Sequence, residues 1–187
     1  MPVDGEAFAG RLLADERIVW QGRPAAGIVL TSRDWFLIPF SVVWCGFAIA
    51  WTGIASFTAV GFAAFGLIFV VLGLFFFVGR FFLDAWLRQG TRYALTESRV
   101  LILKAHPNAD FTSLALDRLP EARLTEGRDG KGTIRFGHPA GMFGFGGAGF
   151  SVWVSSLDPT PQFMNIADAR KVFDLVQSAT MRSPPRA

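Results

Sequence analysis

The chain has 187 residues, 51% of them apolar, with 20 Phe against one Tyr and a formal charge of +3. That leaves room for one domain, or a small domain plus an appendage, and is too greasy for an ordinary soluble domain of this size. Interspersed acids and bases exclude the one-sided basic face of a nucleic-acid binder, and Cys45, the single cysteine, excludes a disulfide framework or a thiolate metal cluster.

The first residues, MPVDGEAF, are acidic, and the first apolar run lies too far in for a secretory signal. ERIVWQGRP comes next, with Ile18 and Trp20 on one side of a period-2 pattern. Two readings stand for Arg17–Gln21: a strand pairing with a C-terminal sheet, or a segment lying on lipid headgroups.

From Trp35 to Gly79, 45 residues carry no charge. A single helix of that length would run to roughly 67 Å, more than twice a hydrocarbon core of about 30 Å. The run therefore predicts a two-helix transmembrane hairpin, near Trp35–Trp51 and Val60–Phe82, with Thr52-Gly53 and Ser56 supplying the turn. Arg17, Arg23 and Arg33 precede it, Arg80, Arg88 and Arg92 come after it, and the turn is uncharged. The positive-inside rule then puts both termini in the cytoplasm, in a multi-pass protein of the cell inner membrane. Trp35, Trp51 and Trp86 fall near the expected interfaces, and Arg80 is placed to snorkel to the headgroups. Small residues line one face of each helix, Gly46, Ala50 and Gly53 on the first and Ala59, Ala63, Gly66 and Gly73 on the second. Such stripes let backbones approach closely in lipid. They are expected to face each other, with contact to another subunit as the alternative.

Past Trp86 the pattern turns to short strands: TRYALT (91–96), RVLILK (99–104), FTSLALD (111–117), EARLTEG (121–127), TIRF (133–136) and FSVWVS (150–155). Gly127, Asp129-Gly130 and Gly132 form a turn cluster between two of them. A terminal helix, IADARKVFDLVQSA, is expected with Asn165 as its cap and Asp168 reaching back, and with Ile166, Ala169, Val172, Phe173 and Val176 on its apolar face. The expected organisation is a cytoplasmic N-terminal segment (1–34), the hairpin (35–86), a cytoplasmic α+β domain (87–180) and a proline-rich tail (181–187).

ERIVWQGRP, RDWFLIPFSVVWCGFAIAW, GRFFLDAW, TRYALTESRVLIL, GKGTIRFG and the IADARKVFDL helix together resemble the bacterial pleckstrin-homology (PH)-like membrane proteins. The resemblance spans nearly the whole chain, and Tyr93-Ala-Leu-Thr96-x-x-Arg99-Val-Leu is its most specific element. It implies a transmembrane hairpin joined to a strongly bent antiparallel sheet or partial barrel, plugged by the C-terminal helix. It implies little about mechanism.

No nucleophile elbow, no paired carboxylates and no cluster of metal-ligating residues appear, so neither catalysis nor a cofactor is expected. His106 and His138 each precede a proline in a loop and read as structural or solvated. Gly144-x-Gly146-x-x-Gly149 has the spacing of a dinucleotide loop, with Asp168 about 20 residues on. A strand-like FSVWVS stands after the last glycine where that fingerprint needs a helix, so the context fails. The same loop carries Met142, Phe143, Phe145 and Phe150, which either tuck onto their own sheet or contact a partner or membrane. Arg80, Arg88, Arg92 and Arg99 are the candidate contacts to anionic lipid. Glu97 at the tip of the first hairpin makes a poor cage for a multiply charged headgroup. The expected role is a non-catalytic binding or assembly module, whose partners are the bilayer and a protein or a second copy, without nucleic acid. A sensor of anionic headgroups is the alternative.

Overall fold

Two long apolar helices lead the architecture of the computed structural model, which describes residues 7–31, 33–57, 60–127, 129–137 and 153–182. Helix α1 spans Asp34–Ser56; α2 spans Val60–Leu74 and continues through a π turn, Phe75–Gly79, into α3, Arg80–Gln89. Both are long and apolar enough to cross a membrane, and only 17% of each apolar window is buried inside the protein. A core helix of a soluble domain would bury most of that surface.

The turn falls later than expected, after Ser56, and the second helix runs past Phe82 to Gln89. Thr52 and Ser56 do not break α1, because their hydroxyls donate back to Ala48 O and Gly53 O, both at 2.7 Å. A polar side chain satisfied by its own helix has no reason to end it.

Only one of the two small-residue stripes faces the partner helix. A Cβ on Gly66 would overlap Thr52 Oγ1, and one on Gly73 would lie 3.2 Å from Cys45 Cα, so α2 uses its glycines for close approach. Ala63 is half-buried. On α1, Gly46, Ala50 and Gly53 are exposed, and the contact face is Leu37, Ser41, Ala48, Thr52 and Ala55. The expectation of two facing stripes is corrected on the α1 side; Ala59 lies outside the described residues. Where α1 meets the π turn, Ser41 Oγ sits 2.6 Å from Leu37 O and 3.4 Å from Phe76 O. Its hydroxyl thus bridges its own helix and a carbonyl of the widened turn.

The rest of the chain is an α+β arrangement of two antiparallel sheets. The first has order β1-β2-β3-β4: Ile18–Gly22, Thr91–Thr96, Arg99–Lys104 and Asp110–Ala115. The second has order β5-β6-β7: Ala122–Glu126, Gly132–Phe136 and Gln162–Ile166, after which comes helix α4, Ala169–Arg182. Of the two readings of the N-terminal stretch, the structure takes the strand, with Trp20 opposite Leu95 and Gly22 opposite Tyr93. The hairpin is therefore inserted between β1 and β2, and the sheet begins before the first helix.

Three further expectations are corrected. The fourth strand ends at Ala115, and Leu116–Arg118 form a 3₁₀ turn with Leu116 in the core. Within FSVWVS, Trp153 lies in a turn and Ser155–Leu157 are 3₁₀, while 150–152 lie outside the described residues. Asn165 does not cap the terminal helix but belongs to β7. Gly132 faces Ile166 and Ile134 faces Phe163, so three steps on β7 oppose two on β6. This bulge puts Asn165 at φ +45°, with its N–H donating to Thr133 Oγ1 at 3.1 Å. Asp168, at φ +51°, makes the next bend, and α4 starts after it.

The core lies between the sheets and α4. Tyr93, Leu95, Val100 and Ile102 meet Ile134, Phe136, Phe163 and Ile166, closed by Ala169, Val172 and Val176. Phe163 takes three aromatic neighbours, Trp20, Tyr93 and Phe136, with centroids 4.7–5.4 Å away. The buried Tyr93 hydroxyl accepts the Met164 N–H at 3.0 Å, joining the two sheets. A Cβ on Gly132 would lie 2.7 Å from the Ala169 Cβ, which fixes how closely α4 packs. On the other face of the first sheet, Phe8 packs on Ala94 and Leu101, flanked by Leu12, Ile18 and Leu103.

Candidate functional site at the base of the hairpin

The charged residues that bound the uncharged run meet each other. Arg80 Nη2 lies 2.7 Å from Asp34 Oδ1, with side chains 2% and 8% exposed. Thr31 holds the other carboxylate oxygen, its N–H at 2.6 Å and its hydroxyl at 2.9 Å. The guanidinium carbon sits 4.4 Å above the Phe81 ring and 5.9 Å from that of Trp153. Trp153 in turn packs on Phe40 of α1 and Phe76 of the π turn, so the pair is sealed by aromatic rings. Nε and Nη2 of Arg80 have no hydrogen-bond partner among the described residues; the contact with Asp34 is ionic and off the hydrogen-bond line. The expected snorkelling of Arg80 is corrected: its charge is turned inward.

Two turns further on, Arg88 is also consumed internally. Its Nε donates to Asp84 Oδ2 at 2.9 Å, Nη1 to Ala25 O at 3.0 Å and Nη2 to Gly27 O at 2.7 Å. Asp84 Oδ1 accepts the Ser156 N–H at 2.9 Å and hydroxyl at 2.7 Å. Helix α3 is thereby bonded both to the segment after β1 and to the loop before β7, while Ala25 N–H donates to Asn165 O at 2.9 Å. The i,i+4 spacing of Asp84 and Arg88 is a signal that sequence reading could have used. The pairing of Asp34 with Arg80 had none beyond their places at the two ends of the run.

Arg99 is likewise engaged. Its Nε and Nη2 donate to the two oxygens of Glu16 at 2.8 and 2.6 Å, and Nη2 also reaches Arg11 O at 2.9 Å. Glu16 further accepts from Thr96 Oγ1, Ser98 Oγ and the Leu13 N–H. These donors, with Arg99 first, hold its carboxyl at about 2, well below the ordinary carboxylate range. Arg92 Nη1 donates to Gln89 O and Thr91 O at 2.9 and 3.0 Å. Of the four arginines expected at lipid, Arg80 and Arg88 are buried and Arg99 is locked to Glu16. Arg92 remains at a cleft. Met142, Phe143, Phe145 and Phe150, with the glycine spacing between them, lie outside the described residues, as does His138.

Two clefts open beside this base. One, of about 600 Å³, runs from Thr31 and Arg33 to the outer face of the second sheet. Its charges are mixed, with Lys131 on Asp129 at 2.9 Å, Arg135 near Asp158 at 3.7 Å, and Arg33, Arg123 and Glu126 also on the lining. The other, of about 490 Å³, lies between the segment after β1, the end of α3 and Ala167 before α4. Arg23, Arg88 and Arg92 line it, and no carboxylate does among the described residues. No group of three metal-ligating side chains occurs among the described residues, and His106 is stacked on Trp86 with ring centroids 4.6 Å apart. No protein-family model, curated protein or solved structure matches the chain.

Proposed function

We propose that this chain is an integral protein of the cell inner membrane, both termini cytoplasmic, which displays a PH-like domain as a non-catalytic binding or assembly module. The observation that carries this reading is the insertion of the hairpin between β1 and β2, with Arg88, Asp84 and Ser156 bonding its base to the sheet domain. Such a domain is held at one height and angle above the bilayer, as a presented surface needs to be. Two sheets of four and three strands closed by one terminal helix are in keeping with the PH-like resemblance. Affinity capture and crosslinking of the intact protein in mild detergent test the role. The expected outcome is a stoichiometric companion, a protein or a second copy, crosslinked through the sheet domain. A monodisperse monomer with no companion would sink it.

A second reading, a sensor of anionic headgroups, is favoured by one observation, the arginine-lined cleft without a lining carboxylate among the described residues. The test uses the full chain, because β1 and Phe8 belong to the sheet domain and a fragment starting at residue 90 would lose both.

A further inference from the structure

We propose that the stretch leading into α1 lies in the bilayer interface, with Ile28 and Leu30 buried where the lipid headgroups meet the acyl chains. The inference rests on the membrane placement proposed above. It moves these residues out of the cytoplasmic N-terminal segment expected for 1–34 and gives them a lipid partner.

Two contacts fix the height of this stretch. At one end Arg88 Nη1 and Nη2 donate to Ala25 O and Gly27 O at 3.0 and 2.7 Å. At the other, Arg80 meets Asp34 at 2.7 Å, and Thr31 holds the second oxygen of that carboxylate. Arg80 and Arg88 stand about 12 Å apart along the axis of α3. Helix α1 rises about 33 Å from Asp34 to Ser56, close to the thickness of a hydrocarbon core, so the Asp34–Arg80 level is that core's near edge. With the intervening residues spread evenly, Leu30 falls roughly 7 Å and Ile28 roughly 10 Å beyond the edge, against an interfacial layer about 5–8 Å thick. Leu30 is inside that layer, and Ile28 reaches it with its own side chain.

Nothing among the described residues covers the two side chains. Ile28 is 64% and Leu30 66% exposed, with half-buried Val29 between them. Both edge the mixed cleft, whose opposite wall is polar and charged apart from Met164 and glycines, and so offers aliphatic groups no match. On α3, Phe82 and Trp86 are 67% and 46% exposed, at roughly 3 and 9 Å beyond Arg80. At about 100° per residue they point away from Arg80, Asp84 and Arg88, the side on which the stretch is held. Trp35 and Phe36, both exposed at the foot of α1, continue the apolar surface into the helix. Apolar groups at one height on opposite sides of a neck suit a medium that surrounds it, as a bilayer interface does. A protein docked on the stretch alone would leave Phe82 and Trp86 bare.

The test is fluorescence quenching of single labelled cysteines in the full chain, in a Cys45→Ala background held in phosphatidylcholine nanodiscs; Cys45→Ser replaces that background if it fails to fold. Ile28→Cys and Leu30→Cys report the stretch, Val43→Cys the exposed middle of α1, and Met181→Cys the exposed end of α4. The quenchers are a headgroup nitroxide lipid, a chain-end nitroxide lipid and aqueous iodide. At Leu30 the headgroup nitroxide should quench about threefold more strongly than the chain-end one, and iodide about fivefold less than at Met181. Ile28 should admit about twice as much iodide as Leu30, and Val43 should answer to the chain-end nitroxide. Iodide access at Ile28 and Leu30 equal to that at Met181, with Val43 still among the chains, would overturn the inference but leave the membrane reading standing. Iodide access at Val43 as well would overturn both. Shielding of Ile28 and Leu30 from all three quenchers would give them to a protein companion and overturn the lipid assignment. Both side chains lie outside the core, so replacing them leaves the fold intact.

Discussion

Two arginine–carboxylate pairs tie residues before the uncharged run to residues after it, and they are built in opposite ways. Glu16 with Arg99 is a saturated network, in which one carboxylate takes the Leu13 N–H and the Thr96 and Ser98 hydroxyls as well as the guanidinium. Asp34 with Arg80 is closed off by Phe81 and Trp153, and leaves two guanidinium nitrogens without hydrogen bonds among the described residues. A saturated pair adds stability. A dry, half-satisfied one costs desolvation that its attraction barely repays, and its value lies in penalising every arrangement that separates the two charges. The first holds a sheet corner together; the second sets where the two helices end relative to each other.

Removing one member at a time should break this comparison most sharply. Asp34→Ala strands Arg80 in an aromatic pocket and should cost about 3–5 kcal/mol in reversible unfolding in detergent. Glu16→Ala leaves Arg99, which is 16% exposed, closer to water, and should cost about 2–4 kcal/mol by the same measurement. Replacing both partners separates the pairs further. Asp34→Leu with Arg80→Met should recover most of its loss, short only of the Thr31 N–H and hydroxyl that lose their acceptor, whereas Glu16→Leu with Arg99→Met should recover less, since Thr96, Ser98 and the Leu13 N–H all lose theirs. Equal recovery of both double variants would show the two pairs to be the same kind of contact.

Acid titration gives a finer contrast. The Glu16 carboxyl falls from 4.5 to about 2 on folding. A lowered folded value means that its contribution is whole above about pH 4.5 and is lost as pH falls towards 2. Wild type should therefore lose more stability across that window than Glu16→Gln, tracked by circular dichroism, and a parallel decline of the two would refute the assignment. The smallest expected effect concerns the helix faces. Gly53→Ala, on the exposed face of α1, should be neutral or gain up to about 1 kcal/mol of helix stability in the same unfolding measurement. Gly66→Ala should lose stability against Thr52.

Much of this fold was legible because periodicity speaks for elements whose environment is uniform. The uncharged run marked the two apolar helices, and TRYALT with RVLILK marked β2 and β3, which pair with Tyr93 opposite Ile102. β7 was not legible, for a local reason. Its bulge puts Phe163 and Ile166 on the same face three residues apart, which is a helical spacing, so QFMNI loses its strand signature. Asn165 and Asp168 misled for a related reason: short polar side chains that cap helices also tolerate the left-handed backbone, and here both take it. The arginines at the base were visible as residues but not as partners. Flanking positive charge reads alike whether a guanidinium points to headgroups, as expected of Arg80, or inward to Asp34, as found. Arg23 shows the opposite case, a flank charge with no special signal that the fold brings to a cleft.

The placement of the hairpin between β1 and β2 also orders events in time. β1 leaves the ribosome first, yet the strand it hydrogen-bonds to is made only after both apolar helices. Until then Ile18 and Trp20 have no sheet to join, and Glu16 has no Arg99 to meet. The sheet domain can close only when the second helix has brought the chain back beside β1. A chain that has not yet reached β2 is thus left with an unpaired first strand, an open row of backbone donors and acceptors.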